Sequence, residues 1–113
     1  MTALAVDIYE QLLRHLRAEH RSITYGELAA KVGVHPRSPV FHAALTEVTT
    51  ACRANQLPCL PALVWRSGTH RPSTGYFAAA HPRARTDRAR LAAWEREHAD
   101  VVAAAARFPA TLS

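Results

Sequence analysis

The feature that most constrains this chain is Thr24 followed three residues later by Glu27. A Thr-x-x-Glu run is a capping box. The hydroxyl accepts from the third helical N–H and the carboxylate accepts from the cap's own N–H, so local chemistry fixes a helix start. Ile23, just before the cap, and Leu28, at the fourth helical position, form a hydrophobic staple. Gly33 supplies a left-handed residue to end that helix. Pro36 drives His35 away from helical geometry. Ser38 and Pro39 then open a second helix, with the proline at a position whose N–H has no intrahelical partner. Residues 24–54 are thus expected to form two helices with a tight connection, a helix-turn-helix.

The remaining elements arrange themselves around that pair. Leu4, Ile8, Leu12 and Leu16 recur every fourth residue and predict a scaffold helix over residues 4–20. On the helix after Pro39, Phe41, Leu45, Val48 and Cys52 line one side and His42, Thr46, Thr49 and Arg53 the other. Ala62–Trp65 reads as a strand, residues 66–73 as a turn-rich loop, and Thr74–Phe77 as a returning strand. That hairpin over residues 62–77 would be a wing. Thr86 or Asp87 caps a last helix to about Arg107, with Leu91, Trp94, His98, Val101 or Val102, and Ala105 facing inward and His98 read as a core histidine. The tail after Phe108-Pro109 is expected to fray. The 113 residues suffice for one domain with a modest core. The expected fold is mainly α with a small β-hairpin, a single winged helix-turn-helix over residues 1–113.

Charge is segregated. The net charge is +5, and residues 1–33 and 87–113 are each balanced. Residues 34–86 carry Arg37, Arg53, Arg66, Arg71, Arg83 and Arg85 against the single acid Glu47. An arginine-rich surface without function would carry acids nearby; their absence points to a polyanion. Short polar side chains followed by a long cation suit base edges and phosphates. The candidate double-stranded DNA contacts are therefore Arg37, His42, Thr46, Thr49 and Arg53 from the second helix and its approach, and Arg66, His70 and Arg71 from the wing.

Other classes find less in the residues. No apolar run approaches the roughly 18 residues of a membrane span, and no basic-then-apolar leader is evident, so a cytoplasmic protein is expected. Cys52 and Cys59 fit a reducing compartment and a role as small hydrophobes. His35, His42, Cys52 and Cys59 lack a metal spacing, and there is no His-Glu-x-x-His or Cys-x-x-Cys. No catalytic residue, metal or cofactor is expected. The alternatives are a protein–protein interaction module anchored by Trp65 or Trp94, and, further off, a small His/Cys hydrolase.

From Ile23 to about Glu97 the order of motifs resembles the DNA-binding domain of alkylguanine-DNA alkyltransferases and their alkyltransferase-like relatives. Thr24-Tyr25-Gly26-Glu27-Leu28-Ala29 is close to that family's Thr-Tyr-Gly-Glu/Gln-Leu/Ile-Ala signature. Phe41-His42-Ala43-Ala44-Leu45 stands where the family has Val-Gly-x-Ala-Leu, and Asn55-Gln56-Leu57-Pro58 where it has Asn-Pro-Leu-Pro. The turn before Gly75-Tyr76 sits where the family has its Gly-Gly-Tyr. The resemblance implies a winged helix on the minor groove, with Tyr25 at the family's nucleotide-rotating tyrosine; the family's intercalating arginine aligns near Pro39 and is absent, with Arg37 a nearby substitute. The reactive Pro-Cys-His-Arg falls at Ala62-Leu63-Val64-Trp65, where none of it survives. Without thiolate and histidine no alkyl group can be accepted, which leaves non-enzymatic DNA binding, in repair or transcriptional regulation.

Overall fold

The computed structural model describes residues 1–112. Helix α1 (Ala3–Glu19) leads to a two-residue strand β1 (Ile23–Thr24), then α2 (Tyr25–Val32) and α3 (Pro39–Ala54). A 3-10 turn over Leu60–Leu63 precedes strand β2 (Val64–Trp65), and α4 (Thr74–Ala80) and α5 (Asp87–Ala103) complete the order. The protein is mainly helical with one small sheet.

The local signals at residues 23–39 act as their chemistry requires. Glu27 N–H donates to Thr24 Oγ1 and Thr24 N–H donates to Glu27 Oε1, each at 3.1 Å. The staple residues Ile23 and Leu28 are both buried. Gly33 ends α2 at φ +75°, and Val34 N–H donates to Ala29 O. Ser38 occupies the cap of α3 with Pro39 following, but its side chain makes no capping hydrogen bond.

The wing hairpin does not form. Val64 pairs with Ile23 and Trp65 with Thr24 in parallel register, so β2 joins the strand in front of α2 and not a returning strand. Thr74–Phe77, read as that return, is the start of α4. Thr, Tyr and Phe favour strands only as far as context allows, and the three alanines that follow are the strongest helix formers. Tyr76, Phe77 and Ala80 form one buried helical face as a result. What is left of the hairpin is a single antiparallel bridge between Arg66 and Arg71. Ala62 and Leu63, expected in the strand, lie in the 3-10 turn.

One core cluster runs through all these elements. Ile8, Tyr9, Leu12 and Leu16 of α1 are fully buried, and α1 packs on α2, α3 and the 3-10 turn. Helix α4 covers a second side of α3, and α5 closes over the 3-10 turn. Trp94 of α5 is buried and donates its indole N–H to Ala62 O at 2.8 Å. The chain is anchored up to Phe108 and Pro109, where the expected tail begins. Phe108 is buried, Arg17 donates to Phe108 O at 2.8 Å, and the Tyr9 hydroxyl donates to Pro109 O. Among the described residues no helix is long and apolar enough to cross a membrane.

Candidate nucleic-acid interface

A cavity of about 210 Å³ opens between α2, α3 and α4, lined by Tyr25, His42, Thr46, Thr49, Ser73 and Tyr76 among others. The capping box sets its first wall. By starting α2 at Tyr25, it points that ring toward α4, where the hydroxyl donates to Ser73 Oγ at 3.1 Å and accepts from Ser73 N–H at 2.9 Å. Burial raises the Tyr25 phenol, against the Ser73 hydrogen bonds and the field of Arg66. The phenol therefore stays protonated and bridges two helix starts. His42 lies with its ring centroid 5.7 Å from that of Tyr25, and its Nε2 sits 2.8 Å from Pro36 O, which ties α3 to the α2–α3 turn. Thr46 is exposed at the rim, its hydroxyl donating to His42 O at 3.2 Å.

Four of the nine expected contacts, Tyr25, His42, Thr46 and Thr49, thus meet at one cavity. Two of them are internal. Tyr25 is buried with its hydroxyl engaged, and Thr49 is 2% exposed. Arg53 is also occupied: it donates to Glu97 Oε1 at 2.7 Å and to Ala80 O at 3.2 Å. Arg37 is exposed in the turn, where its backbone N–H donates to His35 Nδ1 at 3.1 Å. Arg66, His70 and Arg71 project from the loop after β2. His70 takes a left-handed φ of +55° and stacks on Trp65 with ring centroids 4.7 Å apart. Trp65 is half-buried and Trp94 buried, so neither is the exposed anchor of an interaction module.

The sequence reading missed the junction behind α4. Glu97 is 7% exposed and accepts from Arg53 and from the Cys59 backbone N–H at 3.1 Å. His81 Nε2 lies 3.8 Å from the same carboxylate and 2.9 Å from the Tyr76 hydroxyl. Burial lowers the His81 pKa, opposed by Glu97 and assisted by Arg53. Glu97 was findable: it stands three residues after Trp94 and four before Val101, on the inward stripe of α5. His98, expected in the core, is half-buried with Nε2 2.8 Å from Ser22 Oγ.

Nucleophilic chemistry has poor material. Both cysteines are buried, and burial pushes the Cys59 thiol up to about 12 and raises Cys52 as well. Neither is thiolate at neutral pH. Among the described residues no three His, Cys, Asp or Glu side chains are grouped to hold a metal.

Comparison of the chain with protein families, with curated proteins and with solved structures returns no match.

Proposed function

We propose that this protein is a non-enzymatic, alkyltransferase-like DNA-binding protein. In this reading the α2–turn–α3 unit faces duplex DNA and the loop over residues 66–71 takes the place of a wing. The observation that carries it is the state of the arginines. Arg37, Arg66, Arg71, Arg83 and Arg85 are exposed, and none forms an ion pair among the described residues. Glu47, the only acid between residues 34 and 86, accepts from the Thr2 backbone N–H at 2.8 Å and not from any arginine. Solvated guanidinium groups without carboxylate partners are suited to a phosphate backbone, where each contact releases condensed counterions.

The contacts fall to Arg37, Thr46, Arg66, His70 and Arg71. Tyr25 and Thr49 shape the cavity behind them, and Arg53 holds the scaffold. Binding to a short duplex across a salt series tests this. The three arginine contacts, Arg37, Arg66 and Arg71, give a logarithmic slope of about −2.7. An absence of binding at about 50 mM salt, where such contacts are strongest, would sink the reading.

A further inference from the structure

Three arginines meet at a second cleft, of about 180 Å³, between the 66–71 loop, the start of α4 and the first turns of α5. Arg66, Arg71 and Arg90 line it, with Phe77 and Trp94 as apolar wall and Asp87 as its one carboxylate. The backbone sets this arrangement. Arg66 N–H donates to Arg71 O at 2.8 Å across the antiparallel bridge, and residues directly opposite in such a pair project from the same face. Like charges placed that way repel. No ion pair to Arg66, Arg71 or Arg90 occurs among the described residues, and Asp87 is the one carboxylate in the cleft to offset the repulsion. Arg90 is held in place from behind: its Nε donates to Ala84 O at 3.1 Å and its guanidinium carbon lies 5.6 Å from the Phe77 ring centroid.

We propose that this cleft binds a phosphate group. Three guanidinium groups and one carboxylate leave a surplus of two positive charges, which the dianion of a free phosphate group balances fully and the single charge of a backbone phosphodiester balances in part. Arginine forks match phosphate oxygens bidentately, and Arg90, already ordered, loses little freedom on binding. The occupant is a phosphate of a nucleic-acid backbone or of a free phosphorylated molecule.

Thermal unfolding in sodium phosphate against sodium chloride, at equal ionic strength and neutral pH, reads the site directly. A ligand that binds only the folded chain raises Tm with its concentration. The Tm is expected to rise in phosphate and to level off. That shift is expected to vanish in Arg71→Gln and Arg90→Gln and to persist in Arg85→Gln. Equal Tm values in the two salts overturn the site, as does an Arg85→Gln variant that loses the shift as fully as Arg71→Gln. Arg71 is exposed, so its variant carries the test if Arg90→Gln fails to fold.

A duplex arm identifies the source, and it alone rests on the DNA-binding reading. A backbone phosphate requires that the Arg66→Gln/Arg71→Gln protein lose about 0.9 of salt slope per lost contact. An unchanged slope assigns the cleft to a free phosphorylated molecule. Wild-type protein that shifts in phosphate but binds no duplex rejects the DNA reading and keeps the cleft. Duplex binding with no phosphate shift does the reverse.

Discussion

Arg53 and the Arg66–Arg71 pair come from the same uncompensated stretch of sequence, yet the fold treats them in opposite ways. Arg53 reaches Glu97 from another helix, over a carboxylate that also holds the Cys59 amide. Arg66 and Arg71 lie opposite each other across a bridge, and neither forms an ion pair among the described residues. A run of unbalanced charge is thus two different things, a structural cation awaiting a distant partner and a surface cation left for solvent or ligand. Only tertiary contact separates them.

The largest effect is expected on the Glu97 side. Glu97→Ala leaves Arg53 without its acid and the buried Cys59 N–H without an acceptor. Breaking a buried pair costs about 3–5 kcal/mol, and because the Arg53 side chain stays 45% exposed the lower end, about 3 kcal/mol, applies. Urea denaturation measures it. An Arg53→Met/Glu97→Gln protein keeps an acceptor for the Cys59 amide and no stranded charge, so most of the loss should return. A single-variant loss below about 1 kcal/mol would place this junction on a par with a surface ion pair and erase the contrast.

Next is the brace between the helices. Tyr25→Phe removes a donor to Ser73 Oγ and an acceptor for Ser73 N–H, at about 1–2 kcal/mol by the usual cost of part-buried hydrogen bonds. The urea midpoint should fall accordingly. Duplex affinity, if Tyr25 serves as a brace and not as a contact, should keep its salt slope.

Acid should weaken the fold through two half-buried histidines. Burial holds His81 and His98 below their ordinary value of 6.5. The unfolded chain therefore takes up protons first as pH falls through 6.5, so stability is complete above that value. It declines below it until the depressed folded values are passed. Tm measured from neutral to mildly acidic pH should fall, and His98→Gln should flatten the fall. A Tm that rises on acidification over that range contradicts the buried, neutral state of both rings.

What the chain disclosed follows the range of the interactions. The capping box, staple and Gly33 turn need only neighbours, and α2 sits where Thr24 and Glu27 put it. The β1–β2 pairing joins Ile23 to Val64, and no local pattern announces a parallel partner so distant in sequence. The hairpin expectation failed for that reason and because strand propensity at Thr74–Phe77 was outweighed by Ala78–Ala80. On α3 a helical wheel assumes one buried face, whereas α1 and α4 cover two. Thr49 was placed outside on that assumption and lies inside. The loop arginines were legible as exposed cations, but their convergence with Arg90 depends on how α5 returns.

The smallest stability effect belongs to the other side of the comparison. Arg66→Gln/Arg71→Gln removes a repulsion and no ion pair, so the urea midpoint should hold or rise by the equivalent of about 0.2–1 kcal/mol. Binding should move the other way, with the duplex salt slope falling by about 1.8 for two lost phosphate contacts. The sign of the stability change is the sharper half of the test. A surface arginine that braces the loop would cost stability on removal, whereas one kept for an anion costs only binding. A destabilisation above about 1 kcal/mol, larger than exposed pairs ordinarily give, would mean that Arg66 and Arg71 hold the loop as Arg53 holds α5, and the two regions would no longer differ in kind.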